Sequence, residues 1–287
     1  MKARRGGLVL AVLLIAGCSR LSVGWRLAPW MLERELAGML GVAAADRPQL
    51  KRDARAYLDT LARQEAPRLA AWGHQLARVL LAGHDDEAVK LLFDGVERHW
   101  NAVLEPGLAP AARWLARQPA QRAAALAKAF DERDQRDFKR WADPARAIAD
   151  REKRLRAGLK DYLGDLTPAQ DEGVHAWALR AAFPVEGWKA DRLRRQAALL
   201  ARLKQGDPQL EADLQAQLRR WWLMPQTDRL PIYQRDWDDY RARLRTACAQ
   251  LLASLTPGQR QRLGQRLHAL ADDLDAIGRQ AVEKAAP

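Results

Sequence analysis

One apolar stripe is written twice in this chain, 89 residues apart, and each copy runs into the same turn. Leu155, Leu159, Tyr162, Leu163 and Leu166 fall on one face of a 3.6-residue helix. Leu244, Cys248, Leu251, Leu252 and Leu255 repeat that spacing. Thr167-Pro168-Ala169-Gln170 and Thr256-Pro257-Gly258-Gln259 follow them. In each, threonine is an N-cap whose oxygen accepts from a free backbone N–H. Proline at the first helical position forfeits no hydrogen bond. Glutamine at the third position reaches back to complete a capping box. The unit is a helix, a tight turn and a helix, placed around residues 155–182 and 244–283. Gln118-Pro119-Ala120-Gln121 reads as a degraded third copy without the threonine. With so few copies, a regular solenoid is not demanded.

The rest of the chain agrees with a helical build. Ala, Leu, Arg, Gln and Glu dominate and are good helix formers, whereas Val, Ile, Thr and Tyr, which strands favour, are sparse. Asn occurs once and Ser three times, so turns depend on Gly, Pro and Asp. Breaks are expected near Gly41–Pro48, Gly83–Asp86, Pro106–Pro110, Pro119, Asp143-Pro144, Thr167-Pro168, Pro184–Gly187, Gly206–Pro208, Pro225–Pro231 and Thr256-Pro257. The expected fold is all-α, a multi-helix array of antiparallel helix pairs, with residues 46–287 as the helical domain. The last helix carries Leu263, Leu267, Leu270, Leu274 and Ile277 at near-coiled-coil spacing. Packing against the body is the favoured reading and a dimer seam the other.

The N-terminus suggests an address. Lys2, Arg4 and Arg5 precede the apolar run Leu8–Ile15, which is too short to span a bilayer and has the length of a secretory core segment. Leu14-Ile15-Ala16-Gly17-Cys18 resembles the lipobox of bacterial lipoproteins. That resemblance implies a signal peptide over residues 1–17, lipidation of Cys18, and residues 18–45 as anchor and first helix. Ser19, where such proteins carry aspartate when kept in the inner membrane, implies the outer membrane, facing the periplasm. Cys248 then has no partner for a disulfide and reads as a buried structural thiol. The net charge of +12 is spread along many helices, as expected of solvated faces. Export argues against nucleic acid, leaving an envelope protein or acidic polymer as partner.

Catalytic signals are thin. The histidines His74, His84, His99, His175 and His268 form no i, i+4 metal pair, and no metal site or cofactor is expected. No serine lies in a nucleophile elbow, and there is no glycine-rich phosphate loop. The acidic groups Asp85-Asp86-Glu87, Asp236–Asp239 and Asp272-Asp273 suit helix starts better than glycan hydrolysis by a carboxylate pair. Tryptophan is the odd component, eleven against four Phe and four Tyr. Trp25 and Trp30 suit either a membrane interface or packing on the first helices. Arg219-Arg220-Trp221-Trp222-Leu223-Met224-Pro225 is the candidate binding patch. Adjacent helical indoles point about 100° apart, so one of the two is expected at the surface.

The order of several short motifs carries a wider resemblance. Trp25 and Trp30-Met31-Leu32, Glu65-Ala66-Pro67-Arg68, the charged stretch Glu132–Trp141, Arg154-Leu155, Leu163–Gln170 and Leu255–Arg260 resemble a family of uncharacterised, all-helical Gram-negative lipoproteins. The family's Trp-His pair is missing at Asp59-Thr60-Leu61. The resemblance implies envelope location and helical architecture but no activity. The Leu-Thr-Pro-x-Gln turns are also similar to a motif of small helical periplasmic stress chaperones. The expected function is therefore a non-catalytic, membrane-anchored binding or chaperone-like protein. The alternatives are a peptidoglycan-cleaving enzyme and a structural scaffold.

Overall fold

The computed structural model describes residues 18–180, 183–206 and 208–284, and residues 1–17, expected to be a signal peptide, lie outside them. Among the described residues there is no strand, and the fold is all-α. The helices are α1 (Cys18–Met39), α2 (Arg47–Gln64), α3 (Ala66–Leu81), α4 (Asp85–Leu104), α5 (Leu108–Ala116) and α6 (Pro119–Trp141). They continue as α7 (Pro144–Leu163), α8 (Pro168–Arg180), α9 (Val185–Gln205), α10 (Leu210–Trp222), α11 (Pro231–Ala253) and α12 (Pro257–Glu283). Each expected break separates two helices. Five helices open on a proline, because the first turn has no use for that residue's N–H.

One boundary has no counterpart among the expected breaks. Glu65 interrupts an apolar-periodic run and divides α2 from α3. Pro67 cannot donate to the preceding turn, so the helix restarts there. Glu65 is itself buried, and one carboxylate oxygen accepts from Arg68 Nη1 at 2.6 Å.

Three apolar clusters hold the array. The largest joins the C-terminal end of α1 and the first turn of α2 to α5, α6, α9 and α10 through Leu40, Leu50, Leu108, Leu126, Leu203 and Leu214. Each fully buried leucine contributes roughly 1.5–3 kcal/mol of transfer free energy. Arg122 is 0% exposed inside this cluster. It is tolerated because Nη1 donates to the carbonyls of Leu40 (2.7 Å) and Gly41 (2.9 Å), closing the open end of α1. A second cluster, of Leu21, Ala62, Ala66 and Ile277, ties α1 to the α2–α3 corner and α12. A third, of Leu58, Leu61 and Val103, seats α4.

The apolar stripe of α12 faces the body. Its main neighbour is α3, approached so closely that a Cβ on Gly264 would lie 2.6 Å from Leu81 Cδ2. The expectation of packing against the body, not a dimer seam, matches this arrangement.

The two repeated units meet at their turns. Gln170 and Gln259 are 3% and 6% exposed. Both capping boxes form, at 3.0 and 3.3 Å around Thr167 and 3.1 and 3.2 Å around Thr256. Beyond their caps, Gln170 Nε2 donates to Gln259 Oε1 (2.8 Å) and Gln259 Nε2 donates to Gln170 Oε1 (2.9 Å). Each amide also donates to a backbone carbonyl of the other turn, Ser254 O at 3.0 Å and Asp165 O at 2.9 Å. Ser254 and Asp165 are themselves 89 residues apart, so the clasp has local two-fold symmetry. All four hydrogen-bonding directions of both amides are filled.

Both units are a helix, a tight turn and a helix, but they pack differently. α7 packs along α8, but α12 spends its stripe on α3 and α2 and touches α7, while α11 lies against α4, α9 and α8. The turn at Pro119 starts a helix but is not a third copy: Gln118 sits in the left-handed region (φ 50°) and its side chain makes no cap.

Candidate functional site

Two adjoining pockets on one side of the array share a single face of α9 and form the two halves of a groove. Trp188, Asp191, Arg192, Arg195, Gln196 and Leu199 recur at three- and four-residue steps, which brings them into one row. One half of the groove, about 420 Å³, lies between this row, the end of α10 and the start of α11. The other half, about 440 Å³, lies between α9, α6 and the C-terminal turns of α1. Phe130, Arg192 and Gln196 line both halves.

The first half is walled by rings. Trp221 is half-buried and packs on the large core cluster, while Trp222 is 40% exposed at the groove. The expected divergence of the adjacent indoles is what the helix produces. Arg219 and Arg220 point elsewhere: neither lines the groove, and Arg219 pairs with Glu105. Met224 is exposed beside the patch.

Guanidinium groups supply the polarity. Arg192 bridges Asp134 (2.6 Å) and Asp137 (2.8 Å) and lies 5.0 Å from the Trp188 ring centre. Arg195 pairs with buried Asp191 at 2.9 Å and donates to the Trp221 carbonyl at 3.1 Å. Its Nη2 is buried without a partner. Asp191 also accepts from the Leu230 N–H at 3.1 Å, which pins the start of α11 to α9.

Arg229 is the unusual cation. It lies 4.8 Å from the Trp237 ring centre and 5.5 Å from that of Tyr233, a cation–π arrangement. It donates to Gln234 Oε1 at 3.2 Å. No carboxylate among the described residues lies within ion-pair distance of it. Burial pushes both Arg195 and Arg229 below the usual guanidinium range. Arginine nevertheless stays charged in proteins. Arg34, Arg133 and Arg136 continue the positive lining in the second half, against Glu35 and Glu132. The arrangement suits an elongated anionic ligand, with rings to stack on and fixed donors to pair with.

Behind the groove lies an aromatic hub that sequence reasoning missed. Phe183 packs against Trp141, Trp188, Trp237 and Tyr240 at ring-centre distances of 5.6–6.0 Å for Trp141, Trp188 and Tyr240 and 6.2 Å for Trp237. These rings come from four separate segments. Their convergence had no local signature. The α9 row did have one, since its spacing is visible in the sequence.

The remaining candidates fall elsewhere. α1 begins at Cys18, whose side chain lies outside the described residues. Cys248 is half-buried, and burial pushes its thiol pKa up. Asp85 opens α4 and takes both Arg260 guanidinium nitrogens, at 2.5 and 2.9 Å. His74 and His268 are brought to 2.9 Å between α3 and α12, with Asp272 and Asp275 at 3.6 and 3.5 Å from His74. Burial, followed by neighbouring Asp272, pushes the Asp273 carboxyl up. None of these acids lines the groove. Among the described residues no group of side chains is placed to hold a metal ion, and no helix is long and apolar enough to cross a membrane.

In comparisons with known proteins, the model of a family of unknown function (DUF6279) matches residues 40–227. That span contains every buried member of the first core cluster except Ala37, and most of the groove. No curated protein and no solved structure matches.

Proposed function

The chain belongs to the family of unknown function DUF6279, and on that footing we propose a membrane-anchored, periplasm-facing lipoprotein that binds an acidic envelope partner without chemical turnover. The address rests on Leu14–Cys18 and its similarity to a lipobox. The binding role rests on one observation: Arg229, a half-buried cation held over two rings without a carboxylate, beside the exposed indole of Trp222. Of the carboxylates at the groove, Asp191 is already engaged by Arg195, and Asp134 and Asp137, next to it, are engaged by Arg192. That arrangement favours holding a ligand over proton transfer to one. The similarity of the Leu-Thr-Pro-x-Gln turns to those of helical stress chaperones fits a role in holding extended chains.

Titration of the intrinsic tryptophan fluorescence with polyglutamate and with polygalacturonate tests this reading. A saturable change with either polymer is expected. It should be weakened by salt, because exposed charges are screened beyond roughly 8 Å at physiological ionic strength. Arg229→Ala and Trp222→Ala should each weaken binding at least tenfold. If neither polymer binds, the groove is not an anion site. If purified protein shortens peptidoglycan strands instead, the enzymatic alternative is the right one.

A further inference from the structure

Helix α1 does more than lead from the anchor to the body. Leu21 and Trp25 turn inward, to the clusters shared with α2, α3 and α12. On the outer side, Leu27 and Trp30 are 52% and 55% exposed, and Met31 is exposed with them. At 100° per residue, Arg26, Trp30, Arg34, Leu27 and Met31 fall within an arc of about 140°. Glu33 and Glu35 lie outside that arc, one on each side. The guanidinium of Arg34 sits 5.3 Å from the Trp30 ring centre. An apolar strip with an indole, carrying two arginines and no acid, is the composition of a helix lying in a membrane interface.

We propose that this arc of α1 rests on the anionic surface of the bilayer as a second, non-covalent contact. The proposal rests on the reading of Cys18 as an acylated anchor. Trp30 lies twelve residues beyond Cys18, about 18 Å along the helix axis. The acyl chains and Trp30 therefore reach one bilayer only if α1 lies along its surface. The inward residues Leu21 and Trp25 then hold the body above the helix. Charge complementarity selects the occupant, since Arg26 and Arg34 match anionic headgroups. Arg34 also lines the groove, so the groove opens beside the membrane.

The test uses the purified full protein incorporated into vesicles of phosphatidylethanolamine and phosphatidylglycerol, with bromine-labelled acyl chains as a shallow quencher. The acylation of Cys18 is read separately, from the mass of the N-terminal peptide. The expected result is quenching of about one eleventh of the indole emission, eleven being the number of tryptophans. The quenched component should vanish in Trp30→Phe and shrink at least twofold in Leu27→Ser/Met31→Ser. Acylated, vesicle-bound protein without quenching overturns the proposal and leaves the anchor intact. Quenching that persists unchanged in Trp30→Phe overturns it as well, because another indole then touches lipid. If Cys18 proves unmodified, the anchor reading fails. Trp30 quenching on the same anionic vesicles then still supports the face, and its absence overturns it.

Discussion

Replacing Gln259 by alanine should remove more than a helix cap. Its side chain is nearly fully buried and serves four hydrogen bonds: from Thr256 N–H, to and from Gln170, and to Asp165 O. Water has little access to the groups left behind. A typical net hydrogen bond is worth about 1 kcal/mol, and a buried orphan costs about 1–3 kcal/mol. Allowing for partial relaxation, Gln259→Ala should cost about 3 kcal/mol. Gln170→Ala should cost about the same, since it occupies the symmetric position. For a chain of this size each kcal/mol lowers Tm by roughly 2–4 °C, so either variant should melt about 6–12 °C lower by circular dichroism. The decisive quantity is the double variant. Both single variants already lose the Gln–Gln pair, so the double variant should be less damaging than the sum by about 1–2 kcal/mol. Strict additivity would refute the clasp, and singles costing under about 1 kcal/mol would reduce both residues to ordinary caps. Gln259→Glu gives a further check. A carboxylate cannot donate to Asp165 O or to Gln170 Oε1, so the variant should be less stable than Gln259→Ala at neutral pH and recover in acid.

Three further outcomes follow from the same structure. Arg122→Leu should destabilise by about 3 kcal/mol in urea unfolding, because two carbonyls at the end of α1 lose their donor in a buried site. Trp221→Ala should cost about 3 kcal/mol of stability as a core truncation, whereas Trp222→Ala should cost less than about 1 kcal/mol and act mainly on ligand binding. Tyr57, whose hydroxyl donates to Val103 O at 2.8 Å, has its pKa pushed up to about 12 by burial. The folded state thus keeps the proton longer than the unfolded chain. The associated stability is whole below about pH 10 and lost as pH rises towards 12, at roughly 1.4 kcal/mol per pH unit. Tyr57→Phe should flatten that alkaline decline in unfolding measurements, and an unchanged slope would point to other groups.

The sequence carried the helical build because its signals are local. Thr-Pro-x-Gln and Asp143-Pro144 announce helix starts by cap chemistry that involves only neighbouring residues. The Glu65 corner was missed because Glu-Ala-Pro-Arg sits in a run whose apolar period does not pause. Capping explains the threonine and glutamine of the turn repeat one turn at a time. Their reciprocal pairing needs two segments 89 residues apart, and no local rule contains that distance. The groove was half legible. Trp221 and Trp222 stood out by adjacency, but Arg219 and Arg220, beside them in sequence, point away from it. Their apparent place belongs to Arg192, Arg195 and Arg229, which tertiary packing brings to the indoles from α9 and the start of α11.

The address of the protein has a direct test. Cells fed a labelled fatty acid should place the label on the wild-type chain and hold it in the outer-membrane fraction. Cys18→Ala should be unlabelled, keep residues 1–17 and leave that fraction. An unlabelled wild-type chain, or a variant that stays in the same fraction, would contradict the account at its base.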